Sequence, residues 1–185
     1  IKRVVHEKDM NSILAKSKGI YGIDFATHIV NEIGIKVSIL GLENVPNEGP
    51  VILAANHPLG GMDAMAMISF IGKKRKDIKF IVNDILTKLT NFGAVFVPVN
   101  KLGANTKQHL EFLNQVYASD NLVMIFPAGL CSRKINGVVQ DIEWNKNFVV
   151  NALKYQHPII PMLVIAKNSN WFYNTARFRT KLGIK

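Results

Sequence analysis

Short apolar runs alternate with longer amphipathic segments along most of this chain, and that alternation restricts it to few folds. Residues 51–55, 78–82, 94–99, 122–126 and 159–166 are rich in Val, Ile, Leu and Phe and read as strands. Between them, residues 64–71, 84–91, 106–117 and 145–155 carry helical spacing, with Leu110, Phe112, Leu113 and Val116 on one side of the third. Gly93 ends the short segment before it, and the C-terminal end reads as a further helix. Upstream, residues 2–33 read as two short helices punctuated by Gly19, Gly22 and Gly34. Residues 36–40 then read as a strand, and residues 41–50 as a loop. Strands alternating with helices predict an α/β layered domain: a central mixed, largely parallel sheet flanked by helices, with additional N-terminal helices. The expected division is an N-terminal helical segment, residues 1–34, docked on the domain or laid on a bilayer, and a main unit over residues 35–185, one domain overall.

One junction stands out. The run at 51–55 leads into Asn56-His57-Pro58-Leu59-Gly60-Gly61-Met62-Asp63 before the next helix. Pro58 and the Gly60-Gly61 pair are turn formers, and Asp63 reads as the N-cap of the helix. Loops at the ends of buried strands are where α/β proteins place their chemistry. A carboxylate that accepts from one imidazole nitrogen leaves the other to take a proton, so His57 and Asp63 form a candidate base and orienter. No Ser, Cys or Thr stands in this loop, so the hydroxyl to be activated is expected to belong to a substrate. A second loop, residues 127–134, holds Gly129, Ser132, Arg133 and Lys134, a small-residue turn suited to an anion or a developing oxyanion.

Composition narrows the partners. The chain has 185 residues, 48% of them hydrophobic, and a formal charge of +10. Such a balance favours an acidic partner: nucleic acid, an anionic lipid surface, a phosphorylated small molecule or an acidic carrier protein. Lys73-Lys74-Arg75-Lys76 and Arg177, Arg179, Lys181 and Lys185 supply much of it. No zinc-finger, RRM, KH or cold-shock signature accompanies the charge, so no nucleic acid is expected. A single cysteine, Cys131, rules out an internal disulfide and fits a reducing compartment, and Cys/His spacings for a metal are absent. The apolar runs are far shorter than the roughly 20 residues of a membrane span. No signal-peptide pattern is visible, and the start at Ile1 reads as processed or truncated.

The order of these pieces resembles the glycerolipid acyltransferase superfamily, including its haemolysin-like bacterial branch of ornithine- and glycine-lipid O-acyltransferases. The resemblance spans residues 36–166. It rests on Gly41-Leu42-Glu43-Asn44-Val45-Pro46, on Asn56-His57 with Asp63, on Gly93-Ala94-Val95-Phe96-Val97, on Phe126-Pro127-Ala128-Gly129 with Ser132-Arg133, and on Pro158-Ile159-Ile160-Pro161. What the resemblance implies is a glycerol-3-phosphate acyltransferase-like fold in which His57 and Asp63 are catalytic. Asn56, Gly129, Ser132, Arg133 and Lys101 would contact substrate. The expected donor is acyl-carrier protein or acyl-CoA, the acceptor a lysolipid, with no metal and no cofactor beyond that co-substrate. An anionic membrane surface, on the cytoplasmic face of a bacterial inner membrane, would hold the protein peripherally.

Three departures refine that expectation. Five residues separate His57 from Asp63, one more than the family's usual spacing, so their contact requires a bulge in the Gly-Gly loop. Ala128 and Cys131 stand where the family has Glu and Arg, and Val99 where another Arg is usual, although Lys101 is near. Those groups are associated with gripping glycerol phosphate, so their loss favours an acceptor without phosphate, a lyso-aminolipid, over lysophosphatidic acid. Other readings differ in kind: a catalytically inactive lipid- or carrier-binding module, a nucleic-acid binder, or Cys131 as an acylated nucleophile. Met62, Met65, Met67 and Phe70 are expected in the core, with an acyl channel as the alternative. His6, His28, His109 and His157 are expected to be structural or on the surface.

Overall fold

The computed structural model describes residues 7–99 and 107–181. The two amphipathic N-terminal segments form α1 (Glu7–Lys16) and α2 (Gly22–Ile33), and the alternating part gives β1 (Val51–Ala55), α3 (Gly61–Ile71), β2 (Ile78–Asn83) and β3 (Phe96–Val99). Then follow α4 (Lys107–Tyr117), β4 (Leu122–Ile125), β5 (Arg133–Ile135), β6 (Val138–Gln140), α5 (Asn147–Tyr155), β7 (Ile159–Met162) and α6 (Asn170–Lys181). Five strands make one parallel sheet in the order β3-β2-β4-β1-β7; β5 and β6 make a separate antiparallel hairpin.

β1 shows why the sheet is built this way. Its five residues are all buried, as a continuous apolar run requires of a strand covered on both faces. Successive side chains point to opposite faces. Val51, Leu53 and Ala55 join Phe25, Ile29, Ile68 and Ile71 in one core cluster, whereas Ile52 and Ala54 join Val116, Tyr117, Phe148 and Ala152 in the other. The sheet is thus layered between α2 and α3 on one face and α4 and α5 on the other. Register is set on both sides of β1, with Leu53 opposite Met124 of β4 and Ile160 of β7.

Some sequence expectations need correction. Residues 36–40 form no strand: Ile35 and Ile39 pack against the core and Val37 is half-buried, but the segment pairs with no strand of the sheet. Residues 84–91 form no α-helix: short 3-10 stretches cover Asp84–Lys88 and Thr90–Val95, broken between them at Leu89, with φ −81° and ψ 76°, and again inside the second at Gly93, with φ 47° and ψ −125°. β7 stops at Met162, well short of 166. The hairpin β5–β6 was not expected from the sequence at all.

The run Lys73-Lys74-Arg75-Lys76 is not one solvated patch. Arg75 is buried and binds Asp77 through Nε at 2.8 Å while donating to the carbonyls of Pro46, Gly49 and Asp120 at 3.1, 2.9 and 3.1 Å. Its guanidinium therefore satisfies the loop that feeds β1 and holds the Asp77 carboxyl below the usual carboxylate range. Lys74 donates to the carbonyl of Leu42 and Lys76 to that of Gly72. No helix among the described residues is long and apolar enough to cross a membrane.

The α2–α3 contact depends on Gly72. A Cβ there would lie 2.3 Å from Ile23 Cγ2 and 2.6 Å from the Ile68 carbonyl oxygen. Gly72→Ala is expected to destabilise the fold by about 1–3 kcal/mol, the usual range for overpacking. Gly61→Ala, which meets nothing within 4 Å, should leave stability nearly unchanged. Thermal or urea unfolding of the two variants checks both statements.

Candidate active site

At the carboxyl end of β1 the main chain leaves the sheet, and side chains take over its hydrogen bonding. Ala55 opposite Met162 is the last paired position with β7. Asn56 extends the ladder with its side chain: Nδ2 donates to the Val164 carbonyl at 2.9 Å, and Val164 N–H donates back to Oδ1 at 2.6 Å. The backbone can then turn into the His57 loop with no buried polar group left open at this point.

The loop closes on Asp63. The turn is made at Gly60, in the left-handed half of conformational space with φ 81° and ψ −134°, so α3 starts at Gly61 and Asp63 occupies its third position rather than its N-cap. From there the carboxylate folds back. Asp63 Oδ2 accepts from the N–H of Leu59 at 2.8 Å, from the N–H of Gly60 at 3.1 Å, and pairs with His57 Nδ1 at 3.1 Å. The extra residue between His57 and Asp63 is absorbed at Gly60, and the two side chains meet. Asp63 is 2% exposed, and its other oxygen, Oδ1, is buried without a hydrogen-bond partner in the structure. The His57 ring stacks on Phe126, centroids 3.8 Å apart at an interplanar angle of 21°.

This arrangement fixes the ring and its tautomer together. Nδ1–H donated to Asp63 places the lone pair on Nε2, the nitrogen that can remove a proton. A buried carboxylate beside Nδ1 then stabilises positive charge on the imidazole while the proton is held. The pair can act as a general base with no nucleophile of its own.

The structure brings the second loop against the first. Ser132 N–H donates to the His57 carbonyl at 2.8 Å. Ser132 is buried, and its hydroxyl donates to Asp141 Oδ1 at 2.5 Å. Gly129 takes a positive φ of 62° and donates its N–H to the Phe126 carbonyl at 2.9 Å, closing the turn after β4. Arg133 donates to the carbonyl oxygens of Cys131 and Ser132 at 2.7 and 3.3 Å and lies over the Phe172 ring, 5.7 Å from its centroid. Lys101 lies outside the described residues. Sequence reasoning missed Asp141, Trp144, which donates Nε1–H to Asp141 Oδ2 at 3.0 Å, and Asn168, which donates to the Pro58 carbonyl at 2.6 Å. One signal pointed to Asp141: Asn136-Gly137 is a two-residue hairpin turn, and counting outward from it sets Ser132 opposite Asp141.

Beside the loop lies a groove of about 510 Å3, walled by Leu59, Met62, Met67 and Phe70 and closed by residues 35–42 and 160–166. Met65 stays in the core, so the four apolar side chains expected there divide between core and groove. Leu40, Leu163 and Ile165, which border the groove, are 94%, 76% and 90% exposed.

Cys131 is poorly placed for nucleophilic work. Burial pushes its thiol up, away from the reactive thiolate, and its Sγ stands where a Cβ on Gly60 would come within 2.9 Å. Alkylation of the folded protein by iodoacetamide at neutral pH is expected to run on the order of tenfold or more slower than in denaturant. Labelling equally fast in both states would show a reactive thiol.

No solved structure matches the chain. Two curated relatives are each 37% identical over 186 residues, covering the whole of this chain: a lyso-glycine lipid O-acyltransferase of Bacteroides thetaiotaomicron, of which the match spans 68%, and one of Phocaeicola vulgatus, of which it spans 67%. A family described as acyltransferase matches residues 1–185. With the family and both relatives covering it from end to end, the chain belongs to the acyltransferase family.

Proposed function

We propose that the protein moves a fatty acyl group from the thioester of acyl-carrier protein or acyl-CoA to the hydroxyl of a lyso-aminolipid of the glycine-lipid type. The observation that carries this reading is the His57–Asp63 pair beside an apolar groove, in a chain related along its whole length to two lyso-glycine lipid O-acyltransferases. In the proposed reaction the acceptor hydroxyl oxygen attacks the thioester carbonyl while its proton passes to His57 Nε2. The tetrahedral intermediate collapses with cleavage of the C–S bond, the new ester C–O bond remains, and the proton passes to the departing thiolate. A thioester is already activated, so positioning and base assistance account for most of what the protein must supply, and the chemistry calls for no metal or organic cofactor.

The acceptor follows from what the second loop offers. Ala128 is buried and apolar, the Cys131 thiol is held neutral by burial, and Arg133 is turned onto its own backbone. A phosphomonoester would find few partners there, and an acceptor without phosphate loses less. The groove suits a lipid chain. Exposed Leu40, Leu163 and Ile165 at its border, with the net positive charge, support peripheral attachment to an anionic membrane on its cytoplasmic face.

Mass spectrometry of acyl transfer tests the reading, with acyl-carrier protein and acyl-CoA offered to lyso-glycine lipid, lyso-ornithine lipid, lysophosphatidic acid and glycerol-3-phosphate. Product is expected on a lyso-aminolipid, with His57→Ala losing about 10²- to 10⁴-fold of the rate. Product on lysophosphatidic acid alone would overturn the acceptor and keep the mechanism. Vesicle binding without turnover on any acceptor would replace the enzyme reading by a binding module.

A further inference from the structure

The β5–β6 hairpin is outside the sheet and makes no part of the core clusters, yet it delivers a carboxylate to the catalytic loop. Asn136 and Gly137 both have positive φ, 50° and 86°, the conformation of a type I′ turn whose twist matches the strands it joins. That turn fixes Ile135 opposite Val138 and Arg133 opposite Gln140. The next pair outward is Ser132 and Asp141, and their side chains meet at 2.5 Å.

This pair holds the main chain of His57 at both ends of the residue. Asp141 Oδ1 accepts the His57 N–H at 3.2 Å, and Ser132 N–H donates to the His57 carbonyl at 2.8 Å. Trp144 Nε1–H fixes the other carboxylate oxygen at 3.0 Å. His57 is thus restrained at four points: its N–H and carbonyl by the hairpin base, its Nδ1 by Asp63, and its ring face by Phe126. Asp63 and Phe126 set the rotation of the ring about its own bonds. The main-chain contacts set where that ring begins, together with the Asn56–Val164 and Asn168–Pro58 bonds on either side of it.

We infer that Asp141 is a positioning residue for the acyl transfer, acting through the His57 main chain to place Nε2 against the acceptor hydroxyl. The inference rests on His57 serving as general base, as proposed above. Its chemistry is geometric: loss of the carboxylate leaves the His57 N–H and the Ser132 hydroxyl without their acceptor, and a loop rich in Gly and Pro has local freedom to move once released. A shift of about 1 Å in a reacting group can cost on the order of 100-fold in rate.

The test is steady-state kinetics with the acceptor that supports turnover, on wild type, Asp141→Ala, Asp141→Asn, His57→Ala and the double variants with His57→Ala. Asp141→Ala is expected to lower kcat on the order of 10- to 100-fold, with KM for acceptor and thioester changed by less than about threefold. Asp141→Asn, which keeps the volume and one acceptor oxygen, should recover part of that loss. In the His57→Ala background neither substitution should lower the residual rate further, since residues acting as a unit are not additive. Unchanged kcat in a folded Asp141→Ala would overturn the inference, as would equal losses with and without His57. If the alanine variant does not fold, the isosteric Asp141→Asn carries the same comparison. Full activity in His57→Ala would sink the general-base reading itself, an outcome distinct from failure at Asp141.

Discussion

A parallel strand buried on both faces offers little water to satisfy the backbone where it ends, and this constraint organises the end of the molecule that carries the candidate site. β1 is paired to β4 on one side and β7 on the other, and the chain leaves it into a region where Asn56 and His57 are half-buried and Pro58 and Gly60 buried. Much of the chain just beyond Ala55 finds its partners within the protein. Asn56 replaces a main-chain pair with an amide, Asp63 gathers two loop N–H groups, and Asn168 covers the Pro58 carbonyl. The histidine that emerges there is rigid because its surroundings had to be satisfied. Its geometry is a by-product of solving a burial problem.

Asp63 carries two duties that sequence reasoning separates. A carboxylate in the first turn of a helix favours the positive end of the helix dipole and takes up unpaired N–H groups. Here the same oxygen also meets His57 Nδ1. Structural and chemical roles are joined in one atom, so substitution at Asp63 disturbs the start of α3 and the imidazole together. Asp141 separates them: it touches the same histidine without capping any helix of the sheet layers.

Much of this was legible beforehand because the strongest signals were local. The apolar runs of β1, β2 and β4 are short, bounded and rich in branched residues, and the His57 loop is marked by Pro58 and two glycines. Residues 36–40 also alternate, but alternation records which side chains face inward, and a segment lying extended against the core without a strand partner writes the same pattern. The cationic run at 73–76 misled in a similar way. Composition counts Arg75 as surface charge, whereas three carbonyls distant in sequence, with the neighbouring Asp77 carboxylate, draw it inside. The His57–Asp63 contact was expected from motif order, while the Ser132–Asp141 contact demanded a register count across a hairpin whose strands are too short and too polar to announce themselves.

That hairpin works as a gauge. Its residues are mostly exposed and their identities touch little, yet the number of residues between Ser132 and the turn must equal the number between the turn and Asp141. Evolution can therefore rewrite its surface freely, or lengthen both arms together by about two residues each, and the histidine will not register the change. Insertion of one residue into one arm would turn Asp141 to the opposite side of the ribbon. In a family compared position by position, this segment would look like a variable loop held only to arms of equal length.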